Sequence, residues 1–499
     1  MDEGEEIESA NESAPLLRST DQRNWIGQRN TDLRENSAEW EAIGASGALA
    51  PSASQVSLES DYDGDDLIGR FDDPSRKAPR SGSQGSLVTI LSLWTTMMGS
   101  SLLVMPWAVA EAGLALGVVL IFVMGGLAFF PTTLIYKAAH YLESTLKVPV
   151  VEFQDICSRI LGPKVAVVAL LVSLLNLIGA MVVYWILMST MLYQIGCFIY
   201  ENKYPAPGNI TDPSVIPDET GLFFKYWNEM LTVPFYLVFL VLPVICIKKP
   251  TFFTKLSSFG IVSIIFMVIF VITKIMTWGF HVKETNLDFK LVNIHFPSLT
   301  GTLSMGFFIH NCILGMTVHH SRPQYKARDT GIAFLMTAIS YAIVGGGYYA
   351  AFPNSKDLIA DNFLKNFSNR EVLAFVARCL LLFQLYTVFP LLAYLFRMQL
   401  FYAIFGKVEV SYHFVVILNA LCVGTCLIFA ALYPRIGDIL RILGSICGLV
   451  YVFTLPLLLD LVVSARTGRK SHLRNAVYVF LIGLGLANFI AQFIIPLHV

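Results

Sequence analysis

The stretch WTTMMGSSLLVMPW occupies residues 94–107, inside a run from 81 to 110 that holds no Lys, Arg, Asp or Glu. A run of this length can cross a bilayer as a helix. Gly99, which two serines follow, and then Pro106 interrupt it, because glycine weakens a helix and proline cannot donate the backbone hydrogen bond. The stretch predicts a membrane-spanning helix that unwinds near Gly99 and frees backbone amides and carbonyls near the bilayer midplane.

Ten further uncharged runs follow. In hydrocarbon each backbone polar group must be hydrogen-bonded within its own segment, so an apolar run of about 18 or more residues predicts a spanning helix. With 55% hydrophobic and 14% charged residues among 499, the chain is predicted to be an all-α polytopic membrane protein with eleven transmembrane helices. The runs, called segments 1 to 11, are residues 81–110, 112–136, 165–200, 230–247, 256–273, 291–321, 330–355, 379–396, 410–434, 442–459 and 475–499.

Segment 6 carries a weak point comparable to that of segment 1, around Gly301 and Gly306. Interrupted segments at corresponding places in two five-helix halves predict an inverted repeat with a binding site between the halves. The predicted repeats are residues 86–280 and 291–463, and the helix at 475–499 is additional. The alternative explanation is that small residues also allow close contacts between helices in any bundle.

Residues 1–85 differ from the rest, with 18 acidic and 8 basic side chains and few large apolar ones. Such a composition cannot bury enough surface to offset chain entropy, so a disordered acidic tail is predicted. Within it, Glu12, Leu16 and Leu17 have the acidic-x-x-x-Leu-Leu spacing of the dileucine signals that sorting adaptors recognise for endosomes and lysosomes. The alternative is an ordinary polar tail that contains two leucines.

Orientation follows from the loops, because cytoplasmic loops retain Lys and Arg. Loops after even-numbered segments hold 16 of these residues, and those after segments 3, 5, 7 and 9 hold 11. The sequons at Asn209 and Asn366 both fall on the less basic side, so both are predicted to be glycosylated in the lumen. The amino terminus is therefore predicted to be cytosolic and the carboxyl terminus luminal.

The uncharged segments contain no carboxylate, so a coupling cation would need carbonyl or hydroxyl oxygens or the carboxylate of the substrate. Candidate hydroxyls are Thr95 and Ser100 on segment 1 and Thr387 on segment 8, and sodium accepts such neutral ligands. Proton coupling would instead need a titratable group, and His310 is the only imidazole placed mid-segment beside a break. A lone histidine in a bundle is more often a structural residue.

Other classes of protein find little support. The eight cysteines show no metal-site or disulfide spacing and are read as small buried hydrophobic residues. The sequence holds no glycine-rich phosphate loop and no HExxH motif, so no enzyme is predicted. Nothing in the charge pattern indicates nucleic-acid binding.

At several blocks the chain resembles the sodium-coupled neutral amino acid transporter family, within the amino acid/polyamine/organocation superfamily, and in particular its lysosomal, arginine-sensing branch. The resemblance extends over most of residues 86–499. The matching blocks are Trp94–Trp107, Leu177–Met188, Thr232–Tyr236, Phe307–Cys312 and Leu382–Leu395.

This resemblance implies a LeuT-like 5+5 core plus one helix, in the lysosomal or late endosomal membrane, that exports amino acids from the lumen. The family's sodium ligands are an Asn on segment 1 and a Thr on segment 8. Thr387 matches the Thr, whereas Thr95 stands at the position of the Asn. The resemblance therefore implies sodium binding through only one of the family's two ligands. The family's substrate-binding positions map onto Thr96, Met97, Met98, Gly99, Ser100, Ser101 and Pro390.

Three hypotheses remain open at this point. The first is a secondary active transporter for arginine or neutral amino acids. The second is an amino acid-sensing receptor, because the resemblance implies a cytosolic tail that engages Rag GTPases and Ragulator to activate TORC1, although residues 1–85 show no convincing match to that tail segment. The third is a channel or lipid-handling protein, which would need charge rings or a polar pore stripe that the sequence lacks.

Overall fold

The computed structural model describes residues 84–146, 152–203, 222–247, 253, 256–257, 259–282, 288–405, 410–469 and 471–494. The sorting-signal residues Glu12, Leu16 and Leu17 and the sequon at Asn209 lie outside the described residues. The same holds for residues 1–83 of the predicted tail.

The described residues are almost entirely helical. Short helices Phe153–Ile160 and Leu222–Tyr226 and 3-10 turns Pro323–Tyr325, Lys356–Leu358 and Phe363–Asn366 lie between the segments. The segments have the following bounds: 1, Ser86–Met98 and Ser101–Ala112; 2, Leu114–Leu146; 3, Pro163–Lys203; 4, Thr232–Ile245; 5, Gly260–Trp278; 6, Pro297–Gly306 and Ile313–Thr317; 7, Lys326–Tyr341, the π-helical turn Ala342–Gly347 and Tyr348–Ala351; 8, Val372–Phe405; 9, Tyr412–Leu432; 10, Ile436–Cys447, the π-helical turn Gly448–Thr454 and Leu455–Arg466; 11, His472–Ile494.

Within the described ranges, eight helices are long and apolar enough to cross a membrane, and the two halves of segment 1 together make a ninth. Segment 4 forms a helix of only 14 residues, and segment 6 is divided into two shorter helices. The all-α polytopic class is therefore confirmed. The count of eleven spanning helices stays a prediction.

Segment 1 breaks where the sequence predicts. Its two helices meet at a bend of 58°, and only Gly99 and Ser100 separate them. Pro106 lies inside the second helix without ending it. Glycine, which has no side chain, permits the sharp change of direction, and proline removes only one hydrogen bond further on.

Segment 6 is also interrupted, because residues 307–312 connect its two helices without helical structure. Gly306 ends the first helix, whereas Gly301 lies within it and has a different role. A Cβ on Gly444 of segment 10 would lie 2.3 Å from the Gly301 carbonyl oxygen, so the two backbones touch. The alternative explanation, close helix contact, is the correct one for Gly301.

The two faces of the bundle can be distinguished from backbone contacts. Gln84 forms a single β-bridge with His320, just before segment 1 and just after segment 6. At the other end of these segments, the Asn293 amide donates to the Ala112 carbonyl at 2.8 Å. Segments 1 and 6 thus run antiparallel. The face that contains Gln84 is called the tail face, and the opposite one the far face.

One tyrosine joins the two breaks. The buried Tyr341 hydroxyl of segment 7 donates to the carbonyl of Met97, next to the end of the first helix of segment 1. The same hydroxyl lies 3.1 Å from the carbonyl oxygen of Gly306, where the first helix of segment 6 ends. One proton is therefore shared between two carbonyls that the breaks remove from helical hydrogen bonding.

Replacing Tyr341 with Phe should destabilise the protein, because it leaves two buried carbonyls without this donor at a cost of about 1–3 kcal/mol. We expect a lower thermal unfolding temperature in detergent. Tyr348→Phe is the matched control on the same segment, since the Tyr348 hydroxyl is buried without a partner among the described residues. Equal effects of the two substitutions would contradict the assigned role of Tyr341.

Candidate functional site

The break in segment 1 opens a small polar surface inside the bundle. Thr96, Gly99 and Ser100 are partly exposed, whereas their neighbours Thr95, Met97, Met98 and Ser101 are buried. A Cβ on Gly99 would lie 3.7 Å from the hydroxyl oxygen of Tyr184 on segment 3, so this tyrosine forms the opposite wall. Three of the predicted substrate-binding residues therefore lie together on an accessible surface.

The other predicted residues of this stretch point into the bundle. Met97, Met98 and Ser101 are at most 5% exposed. The sulfur of Met97 lies 3.9 Å from the Thr337 hydroxyl of segment 7. Their side chains serve packing, so a ligand at the break would meet the backbone and the Thr96 and Ser100 side chains.

The break places opposite partial charges near one another. The helix that starts at Ser101 has 12 residues and directs the positive end of its dipole at the break. The helix that ends at Met98 directs its carbonyls, and thus its negative end, at the same place. A carboxylate fits the first end and an ammonium group the second, so the arrangement suits a small zwitterion.

Segment 3 separates this break from the predicted residues of segment 8. Trp185, next to Tyr184, packs against Phe389 with ring centroids 5.6 Å apart. Pro390 and Thr387 are buried within the continuous helix Val372–Phe405. Phe389, which directly precedes Pro390, thus contacts the tryptophan that adjoins Tyr184.

The two predicted sodium ligands have suitable chemistry. The Thr95 hydroxyl donates to the Leu91 carbonyl at 2.9 Å, and the Thr387 hydroxyl donates to the Gln384 carbonyl at 2.9 Å. Each hydroxyl donates its proton to a carbonyl of its own helix, so its oxygen keeps lone pairs for a cation. Both residues are buried. These oxygens fit sodium, and sodium binding stays a prediction. Among the described residues, no group of three or more His, Cys, Asp or Glu could hold a metal ion.

A contact also connects the breaks on the tail-face side. The Thr96 hydroxyl lies 3.9 Å from the sulfur of Met316, in the second helix of segment 6. Cys312, in the unwound stretch, is 3.7 Å from the same sulfur. Movement of this short helix would therefore displace side chains at the accessible surface of segment 1.

A separate cavity of about 20 Å³ lies near the far face, between segments 3 and 4. Its carboxylate, Glu229, pairs with Lys365 at 2.8 Å and accepts a hydrogen bond from Thr190 at 3.0 Å. The two charges neutralise each other, and the cavity is not lined by residues of either break. We therefore assign the candidate site to the breaks and not to this cavity.

The predicted glycosylation site at Asn366 lies in the loop between segments 7 and 8, on the far face. Its side-chain oxygen accepts from the Ala360 amide at 3.0 Å, and its nitrogen donates to the Leu358 carbonyl at 3.2 Å. The residue is partly exposed. Glycosylation there stays a prediction.

Sequence reasoning missed two tyrosines, Tyr341 and Tyr184. Both lie in uncharged segments, where the hydroxyl of a buried tyrosine needs a hydrogen-bond partner. A tyrosine in such a segment is therefore the sequence signal that could have indicated them. Tyr341 finds its partners 244 and 35 residues away.

The comparisons with known proteins agree with this geometry. The family model described as "Transmembrane amino acid transporter protein" matches residues 83–495. The "Sodium-coupled neutral amino acid transporter 9 homolog" of Caenorhabditis elegans is 38% identical, over 83% of this chain and 74% of its own length. The "Neutral amino acid transporter 9" of Xenopus tropicalis is 39% identical over 83% and 80%, and that of Rattus norvegicus is 36% identical over 82% and 79%.

Among solved structures, that of MhsT in complex with L-phenylalanine superposes with a TM-score of 0.52 and covers 84% of this chain and 99% of its own. At 13% identity this likeness shows the fold alone, and it confirms the predicted LeuT-like class. The relatives are transporters and not enzymes. With a family model matched over residues 83–495 and relatives near 40% identity, the chain belongs to the transmembrane amino acid transporter family.

Proposed function

We propose that the protein is a lysosomal secondary active transporter that exports amino acids from the lumen, coupled to sodium. The observation that carries the proposal is the 58° break in segment 1, which leaves Thr96, Gly99 and Ser100 accessible between two oppositely oriented helix ends. The lysosomal location draws support from the dileucine-like spacing of Glu12, Leu16 and Leu17.

Alternating access would proceed by movement of the short helices around the breaks. The amino end of the helix at Ser101 would hold the substrate carboxylate, and the carbonyls before Gly99 would hold its ammonium group. Tyr341 would keep the two breaks in register, because its hydroxyl contacts both. The site would then close over the substrate from either face in turn.

Substrate choice would follow from what the site lacks. Residues 94–107 carry no charge, so the backbone recognises the amino and carboxyl groups that all amino acids share. Neutral side chains need no partner there, whereas arginine would need a counter-charge from outside the stretch. A panel of neutral amino acids and arginine therefore belongs in every transport assay.

Gly99→Leu should abolish amino acid uptake in proteoliposomes, since the larger side chain would enter the space in front of Tyr184. Misplacement of a substrate by about 1 Å can cost about 100-fold in rate. Gly126→Leu is the control, because Gly126 is exposed and a Cβ there would meet nothing within 4 Å. Unchanged uptake by the Gly99 variant, with correct folding, would count against the site.

Sodium coupling can be tested at Thr387. Replacement by Val keeps the shape but removes the oxygen, so the ratio of uptake in sodium to uptake in choline should fall to about one. Thr425→Val is the control, because this exposed hydroxyl makes a similar bond to its own helix, at 3.0 Å to the Leu421 carbonyl. A sodium dependence that survives in the Thr387 variant would refute the ligand assignment.

A second candidate, an amino acid-sensing receptor, is favoured by one contact. The amide of Gln84 donates to the His319 carbonyl at 3.0 Å, and its carbonyl accepts from the Ser321 amide at 2.9 Å. The end of the tail is thereby attached to the loop after segment 6. Substrate-linked movement of segment 6 would be transmitted to residues 1–83.

If the protein is a receptor, binding of an amino acid should alter which cytosolic proteins bind the tail. Full-length protein and a form without residues 1–83, both in nanodiscs, would be incubated with cytosol with and without arginine. The receptor predicts capture of Rag GTPases and Ragulator that depends on both the tail and arginine. Capture of sorting adaptors alone, independent of arginine, would instead support a tail used only for trafficking.

A further inference from the structure

A short basic stretch connects segments 10 and 11 on the tail face. Residues 466–474, RTGRKSHLR, contain four Arg or Lys side chains and no Asp or Glu. Lys470 lies outside the described residues, and Arg466 and Arg469 are exposed. The guanidinium group of Arg469 makes no hydrogen bond or ion pair with another described residue. Its charge is therefore available to a partner outside the bundle.

Further cations come from the connection between segments 2 and 3. Arg159, in the last turn of the short helix Phe153–Ile160, and Lys164, at the start of segment 3, are both exposed. Neither side chain is paired with another residue in the part of the chain that the structure describes. The Nη2 atom of Arg466 donates to the Ile160 carbonyl at 3.1 Å, so the two connections meet. A carbonyl carries no net charge, so this bond leaves the positive charge of Arg466 uncompensated.

The carboxylates of the same elements are already engaged. Asp460 accepts from the Tyr478 hydroxyl at 2.9 Å and lies 3.9 Å from Arg474. Glu152 and Asp155 also have interaction partners. The tail face thus carries four exposed cations that no carboxylate of these elements neutralises. They are called the basic patch and consist of Arg159, Lys164, Arg466 and Arg469.

Exposed apolar side chains fix the depth of the basic patch in the bilayer. Val167 and Val168 are 53% and 48% exposed, and Leu473 and Val477 of segment 11 are 78% and 43% exposed. Such side chains belong in hydrocarbon. At 1.5 Å per helical residue, Lys164 lies only about 5 Å along the helix from the two valines. The headgroup layer is about 5–7 Å thick, so the basic patch lies at the level of the lipid phosphates.

We propose that the basic patch binds an anionic lipid whose headgroup carries more than one phosphate, of the phosphatidylinositol bisphosphate class. A guanidinium group binds phosphate oxygens through two parallel hydrogen bonds. Cations on two connections that meet would contact different phosphates of one headgroup. The predicted orientation places the tail face in the cytosol, where the membrane leaflet contains anionic lipids.

The apolar surface beside the cations favours a lipid over other anions. Val167 and Leu473 would contact the acyl chains, which a soluble phosphate compound lacks. The acidic tail is the other polyanion available, but residues 1–85 contain few large apolar side chains for this surface. A bound lipid would join the connection after segment 2 to the connection after segment 10.

The test is native mass spectrometry of the full-length protein in detergent. The protein would be titrated separately with phosphatidylinositol bisphosphate, phosphatidylserine, phosphatidylcholine and soluble inositol trisphosphate. Each Lys or Arg near an anionic lipid surface strengthens binding by a factor of about five, so Arg466→Gln/Arg469→Gln should weaken binding of the bisphosphate lipid about 25-fold. Lys225→Gln/Lys290→Gln is the matched control, because it removes two exposed charges from the far face and should bind as the wild type does.

Three results would overturn the inference. They are unchanged binding by the Arg466 and Arg469 variant, equal affinity for phosphatidylserine and the bisphosphate lipid, and equal affinity for soluble inositol trisphosphate. Neither transport nor a substrate enters this measurement, so its outcome is separate from that of the proposed function.

A photo-crosslinking benzoylphenylalanine in place of the exposed Leu473 gives an independent measurement. In phosphatidylcholine vesicles with a small fraction of phosphatidylinositol bisphosphate, illumination should attach the inositol lipid to the protein. The same protein with Arg466→Gln/Arg469→Gln should yield at least about fivefold less of this adduct. Crosslinks to residues 1–83 in place of the lipid would show that the tail covers the basic patch, and would overturn the inference.

Discussion

The shared hydrogen bond of Tyr341 is the interaction on which the rest of the site depends. Breaking a helix inside a membrane frees carbonyls that neither lipid nor water can satisfy. Here one phenol serves the ends of two interrupted helices, at Met97 and Gly306. The breaks are thereby tolerated and at the same time fixed relative to each other. A substrate held at one break is consequently positioned with respect to the other.

The two ends of segment 6 are held very differently. Its first helix is packed backbone to backbone on segment 10 through Gly301 and Gly444, and segment 11 adds a hydrogen bond from Gln492 to the Pro297 carbonyl at 2.9 Å. The second helix, Ile313–Thr317, has five residues and is connected to segment 1 through the sulfur of Met316. The packing therefore differs on the two sides of the break: it is backbone to backbone on the far-face side, and it uses the buried side chains of a five-residue helix on the tail-face side.

Much of this could be predicted from the sequence, for local reasons. Long uncharged runs define helices in hydrocarbon, and a glycine followed by serines defines a break, so the interruption at Gly99 was predicted correctly. Gly301 shows the limit, since a glycine inside a helix looks the same whether it breaks the helix or admits a neighbour. Only the position of Gly444 decides between the two. The partners of Tyr341 are equally a property of the assembled bundle.

The absence of carboxylates around the breaks has a consequence for cations. A sodium ion at Thr95, on the segment that carries the break, would be offset by the carboxylate of the bound substrate, so ion and substrate would be enclosed together and would travel together. A proton on His310 has no such partner, because the ring faces a carbonyl and a hydroxyl of segment 2. The same charge-poor interior would therefore admit a sodium ion together with its substrate and leave a proton on His310 without a counter-charge.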